Sequence, residues 1–218
     1  MQTSEACGSI PDIIKNRSGL YEGNLVYYFR LIFYHAQNLD NPYHNFRHLY
    51  HVMWLCYSAC LFYGKYFSAR KMRNLLIAAM FHDFDHTGVA GPDSVNIERA
   101  VAALRKYILP EDWDHLAEIE NLIQLTQFPY EIPSDKVNLP ARILRDADVS
   151  QALNPAWVQH VVFGLAKEWG KKPIEVLRTQ GAFHNSIEFA TNWAKEMFPP
   201  EVVAAKVAEA AEYVELLA

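Results

Sequence analysis

The segment Leu75 to Phe81, LLIAAMF, is apolar on every side and runs directly into HDFDH, His82 to His86. A helix without a polar face is a buried helix. One that delivers ionisable groups at its last turn must supply partners for them, because unpaired charge in a protein interior is costly. A divalent cation bound by neutral imidazole and carboxylate together is an efficient partner. Upstream, NPYHNFRHLYHV (Asn41 to Val52) places His44 and His48 four residues apart, on one face of a helix. Two helices rarely enclose an ion, so a third element is expected. ILRDADVSQALNP, Ile143 to Pro155, offers Asp146 and Asp148 within an apolar helical segment. His35, His51, His115, His160 and His184 stand outside these windows and read as packed or surface residues.

Apolar residues recur at helical spacing along most of the chain, and strand-like alternation is scarce. The pattern predicts helices over Gly19–Gln37, Asn45–Tyr63 with Gly64 at its end, and Ser68–Asp85. Further helices are expected over Ser94–Tyr107 with Asp93 as N-cap, Trp113–Thr126, Ala141–Gln151, Pro155–Trp169, Pro173–Gln180, His184–Met197 and Pro200–Leu217. Gln127–Pro140, with three prolines, reads as a long loop bordering a site. Phe128 and Tyr130 within it are candidates for a pocket wall or for simple packing. No repeat or linker divides the 218 residues, so the expectation is one all-α domain, residues 1–218.

Hydrophobic residues make up 51% of the chain and charged residues 21%, enough for a substantial core. The net charge of -5 gives no general attraction to nucleic acid or anionic membrane, so any phosphate must be held by a local site. Cys7, Cys56 and Cys60 do not form a disulfide framework and read as reduced thiols. The first residues lack a basic stretch followed by a long apolar run, and no segment is long and apolar enough to span a bilayer. A cytoplasmic location is expected.

Three blocks, Tyr43-His44-Asn45-Phe46-Arg47-His48, His82-Asp83-Phe84-Asp85-His86-Thr87-Gly88 and Ala147-Asp148-Val149-Ser150, together resemble the HD-domain metal-dependent phosphohydrolases. Among those, the chain is most similar to the catalytic domain of class I 3′,5′-cyclic nucleotide phosphodiesterases, with a motif core over 41–155. The resemblance implies a compact multi-helix HD-domain fold with a metal site between helices. It implies His48, His82, Asp83 and Asp148 as metal ligands, Asp83 as the bridge to a second ion, and His44 as general acid. Asp148 rather than Asp146 fits the A-D-x-S block. Asn45, Asp85 and His86 match residues that line or support the site, His86 beside the second ion's waters or the nucleophile. Tyr43, Asn45, Gln180 and Phe183 are the candidate substrate contacts. Gln180 and Phe183 reproduce a Q-x-x-F spacing, against the plainer reading of Gln180 as a surface residue at a helix end. Arg47 and Arg145 lie beside the motifs, facing either phosphate or solvent. The family's E-N-H-H block has only Asn96 and Glu98 as echoes, and its T-D pair appears as Thr126-Gln127.

The expected chemistry is metal-dependent phosphoester hydrolysis, foremost of a 3′,5′-cyclic nucleotide to its 5′-monophosphate. Two ions share a hydroxide that attacks phosphorus in line, and a histidine beside the ions protonates the leaving oxygen. The donor set suits one or two divalent ions: zinc, iron, manganese or magnesium. Two alternatives stand beside this. One is hydrolysis of nucleotide monoesters or another small phosphorylated metabolite. The other is a non-catalytic metal- or nucleotide-sensing module, against which the full set of core ligands argues. Neither nucleic acid nor membrane is expected as a partner.

Overall fold

The computed structural model describes residues 8–218; Cys7 lies outside them. Among the described residues the chain is all-α, without strands. Its helices are α1 (Ile10–Ile14), α2 (Val26–His35), α3 (Phe46–Tyr63), α4 (Ala69–Phe81), α5 (Asp93–Tyr107), α6 (Leu116–Gln124), α7 (Leu139–Val149), α8 (Phe163–Glu168), α9 (Pro173–Asn185), α10 (Asn192–Met197) and α11 (Pro200–Leu216). None is long and apolar enough to cross a membrane.

Helix α4 is the centre. Every residue from Met72 to Phe81 is buried, and α2, α3, α5, α6 and α7 all pack on it. Ser68 starts it by accepting from the Lys71 N–H at 3.2 Å. Two polar residues inside the helix are answered by distant partners. Asn74 donates to Glu118 at 2.9 Å. The Arg73 guanidinium grips Asp112 through two parallel bonds of 2.7 and 2.8 Å and donates to the Glu22 and Asn24 carbonyls. Arg70 and the Tyr28 hydroxyl complete the shell around Asp112. One buried carboxylate thus ties the loop before α2, α2 itself, α4 and the 3₁₀ turn Pro110–His115 together. A second, smaller apolar cluster, around Trp157, Val161, Val176 and Leu177, joins α8, α9 and α11.

Several expected boundaries move, each because a side chain takes over a backbone bond. The expected helix 19–37 starts only at Val26. Gly19 and Gly23 hold φ near +67° and +63°, and Asn16 binds the Tyr21 and Gly23 carbonyls, which fixes a loop. The helix expected to reach Asp85 stops at Phe81, because the Asn38 amide donates to Asp83 O and accepts from the Asp85 N–H. Asp93 is not the N-cap of α5. Pro92 holds that position, and the Asp93 carboxylate instead accepts from the Phe128 N–H at 2.8 Å. The 3₁₀ turn precedes α6 where the helix was expected from Trp113, and a wide turn over Val158–Val162 precedes α8. Asn138 caps α7 early, at Leu139. Gly64 follows α3 in right-handed geometry and opens a short 3₁₀ turn. The expected break between Gln180 and His184 is absent, and the expected helix 184–197 is divided. Helix α9 runs through to Asn185, and α10 begins where buried Asp146 binds the Ala190 and Thr191 N–H groups.

Asp112 generates a stability prediction. Burial pushes its carboxyl up, but the hydrogen bonds from Arg73 and Tyr28 and the Arg73 charge outweigh this and hold it below the ordinary carboxylate range. A depressed folded-state value means that the stabilisation is complete above the unfolded-state value, near ~4, and is lost as pH falls through the folded-state value. Asp112→Asn leaves Arg73 buried and unpaired and is expected to cost about 3–5 kcal/mol, read by urea unfolding at pH 7. The difference from the parent chain should shrink below pH ~4.

Candidate metal centre

The sequence brings its ionisable groups together by ending helices at one place. His48 lies in the first turn of α3, whose start is fixed by Asn45 accepting from the Arg47 and His48 N–H groups at 3.0 and 3.2 Å. His82 and Asp83 follow the last residue of α4, and Asp148 closes α7. His48 Nε2 lies 3.1 Å from Asp83 Oδ2 and 3.0 Å from Asp148 Oδ1. His82 Nε2 lies 3.2 Å from Asp83 Oδ2, 3.7 Å from Asp148 Oδ1 and 3.3 Å from His48 Nε2.

Both imidazoles are fixed from behind. His82 Nδ1 donates to the Ala79 carbonyl at 2.8 Å, and His48 Nδ1 donates to Gln151 Oε1. Each ring therefore turns Nε2 inward, in the support pattern of histidines that ligate metals. Burial pulls the His48 imidazole down, yet Asp148 and Asp83 lift it to about 9; His82 is raised well above its ordinary value in the same way. Burial likewise works against the Asp83 and Asp148 carboxylates, and the histidines hold both below the usual range. The four groups favour positive charge at their centre, whether from imidazole protons or from a cation. Asp83 Oδ2 is buried and makes no hydrogen bond. Two imidazole nitrogens and two carboxylates, one of them carrying this unengaged oxygen, fit a divalent ion. His48, His82 and Asp148 place ligand atoms within 4.8 Å of one another.

A second group, His44, His86 and Glu168, is equally compact, but its bonds are already made. Glu168 Oε1 accepts from the Tyr43 and His44 N–H groups, both at 2.9 Å, and Oε2 lies 2.7 Å from His44 Nδ1. Burial raises this carboxyl, but the His44 bond and charge and the two backbone donors outweigh it and hold Glu168 below its ordinary value. An ionised carboxylate only accepts, so Nδ1 of His44 carries a proton and Nε2 is left for other work. The His86 ring stacks on His44 with centroids 3.6 Å apart. Its Nδ1 accepts from the Gly88 N–H at 3.1 Å. Burial and His44 push His86 down to about 4. Gly88, at φ +66°, sits so close to Asn41 that a Cβ would meet its amide at 2.7 Å. Gly164 on α8 lies against the Pro42 carbonyl, where a Cβ would approach to 2.9 Å. That contact brings Glu168, one turn later, to His44.

The other candidates divide. Tyr43, His44 and Asp148 line a cavity of ≈ 350 Å³ together with Gln180, Phe183 and Trp169. Gln180 is buried on α9 and not at a surface helix end, and its Oε1 has no partner. Asn45 does not face this cavity. Its carbonyl oxygen caps α3 and its NH₂ donates to the Asn41 and Pro42 carbonyls, which uses the whole amide for structure. Asp85 also works structurally, at φ +59°, accepting from the Gln37 N–H. Asp146, the alternative to Asp148, is buried and turned to α10. Arg145 is buried and bonded to the Leu125 and Ile132 carbonyls, while Arg47 is exposed. His44, Asp83, His86, Asp93, Asn96 and Asp148 border an adjoining cavity of ≈ 240 Å³. Glu168 and Gln151 were not singled out in the sequence. Gln151 follows Asp148 by one helical turn, a spacing that marks it as a candidate support; nothing local marks Glu168.

Residues 43–132 match the sequence model of the 3′5′-cyclic nucleotide phosphodiesterase family. The high affinity cGMP-specific 3′,5′-cyclic phosphodiesterase 9A of Mus musculus is 33% identical over 89 residues. That alignment covers 40% of this chain, and the chain spans 17% of the relative's length. The family match includes His44, His48, His82, Asp83 and His86, whereas Asp148, Glu168 and Gln180 lie beyond it.

Loading the chain with Mn²⁺ at 100 times its dissociation constant should stabilise it by about 2.7 kcal/mol. Thermal unfolding reads this directly. In His48→Ala the increment should vanish, and metal analysis after dialysis should find the ion depleted.

Proposed function

We propose that this chain hydrolyses a 3′,5′-cyclic nucleotide to the 5′-monophosphate at a divalent-metal centre held by His48, His82, Asp83 and Asp148. The observation that carries the reading is His44, beside those four residues but outside their cluster, with Nδ1 on Glu168 at 2.7 Å. A metal ligand alone would need no such carboxylate-held neighbour; a proton donor does.

A divalent ion bound here supplies Lewis acidity toward a phosphoryl oxygen and acidifies an attacking water. The His₂Asp₂ donor set suits zinc, iron or manganese. Asp83 borders both this cluster and the adjoining cavity, which gives a second ion a place. The chain's own residues do the rest. Glu168 fixes the tautomer and direction of His44. Water adds its hydroxyl to phosphorus as the P–O3′ bond breaks; with Nδ1 held on Glu168, a proton carried on His44 Nε2 passes to the leaving O3′, and the proton that the attacking water gives up restores Nε2. His86, pushed down to about 4, stays uncharged near neutral pH, and its ring packs on His44. In the ≈ 350 Å³ cavity the Gln180 amide, which both donates and accepts, suits the edge of a purine, and Phe183 offers a ring to its face.

The test is a substrate panel on Mn²⁺- or Mg²⁺-loaded protein: cyclic AMP, cyclic GMP, nucleoside monophosphates and an aryl phosphodiester. Cyclic nucleotide should give the 5′-monophosphate. His44→Ala should lower kcat by roughly 10²–10⁴-fold with metal content unchanged, and Glu168→Ala should lower kcat more than it raises KM. Turnover of monoesters with cyclic nucleotides untouched would overturn the substrate assignment.

A further inference from the structure

A cavity of ≈ 600 Å³ lies on the other side of Phe128, Val149 and Phe183 from the cavity just described, and these three residues wall both. Its size is that of a ligand pocket, and it holds none of the four metal-centre residues. Four aromatic rings, Phe128, Tyr130, Phe183 and Phe189, stand in its walls among polar and charged residues. Tyr130 has the Arg145 guanidinium 4.1 Å from its ring centroid, and Phe128 packs edge-on to Tyr130 and Phe183.

Three cations border it: Arg142, Arg145 and Lys195. None forms a close ion pair with a carboxylate among the described residues, although the Lys195 charge acts on Asp146. Arg145 is buried and bonds only to carbonyls and a hydroxyl, through Nε and Nη1, leaving Nη2 without a protein acceptor. Arg142 Nε and the Tyr130 hydroxyl are buried without partners. The acids nearby are differently placed. Both Asp146 oxygens accept from Ala190 and Thr191, and Asp135 has Lys136 at 3.4 Å. Only Glu188 remains unpaired. Aromatic faces beside unpaired guanidinium groups suit a flat ring that carries a negative group.

We propose that this cavity is a second ligand site, separate from the metal centre, that takes a planar aromatic anion. Because Phe128, Val149 and Phe183 serve both cavities, an occupant here sets the shape of the one lined by Gln180. This coupling rests on the hydrolase reading; binding does not.

The probe is 8-anilinonaphthalene-1-sulfonate, titrated by fluorescence into the full chain without substrate, with uncharged N-phenyl-1-naphthylamine as its control. The sulfonate should bind at least about tenfold more tightly than the control. Arg142→Glu/Lys195→Glu should weaken it by about tenfold or more, a loss of about 1.4 kcal/mol. Ser186→Trp, which fills the cavity from its rim, should also weaken it. Circular dichroism checks that both variants remain folded. Equal affinity for the two probes, or unchanged sulfonate binding in both folded variants, would overturn the site; it would place the dye in the apolar trough along Val203, Val207 and Ala211. With the site established, saturating sulfonate should shift KM for the cleaved nucleotide about fivefold or more. An unchanged KM would remove the coupling and leave the binding site.

Discussion

Two carboxylates and two imidazoles held within hydrogen-bonding distance, in the interior, are the constraint on which the rest depends. Two carboxylates gathered on the same imidazole are tolerable only with positive charge beside them. That requirement fixes where three helices terminate. Helix α3 must begin, and α4 and α7 must end, at the same point. The surrounding polar bonds serve this convergence: Asn45 starts α3, Asn38 halts the backbone after α4, and Asp146 turns away to α10 so that Asp148 alone reaches the centre.

Much of this is legible in the residues. LLIAAMF leading into HDFDH states that a buried helix ends in charge, and its consequence is α4 with His82 and Asp83 at its tip. The spacing of His44 and His48 places both near the start of α3, yet one reaches the His82, Asp83 and Asp148 cluster and the other the Glu168 carboxylate. Periodicity alone could not separate them, since four residues put both side chains on one face. The resemblance to metal phosphohydrolases made that distinction.

What sequence reasoning missed is long-range. Glu168 reaches His44 across 124 positions, and Gln151 reaches His48 across 103. No local pattern signals Glu168, and only the one-turn spacing from Asp148 hints at Gln151. The misplaced helix boundaries have the same origin. Helical periodicity runs through residues 82–85 and 186–191, but the Asn38 and Asp146 side chains offer the backbone better bonds there. Asn45, read both as a support of the site and as a candidate substrate contact, spends its oxygen on capping α3 and its NH₂ on the Asn41 and Pro42 carbonyls.

The two rings at the centre are braced by different kinds of atom, and this makes them unequally vulnerable. His82 leans on a main-chain oxygen, that of Ala79, which any amino acid at position 79 would still provide. His48 leans on the side chain of Gln151, which a single codon change can remove. Genetic damage to the outer scaffold therefore falls on one histidine and spares the other. A chain that drifted at position 151 would keep all four inward-facing atoms and still hold its ion loosely.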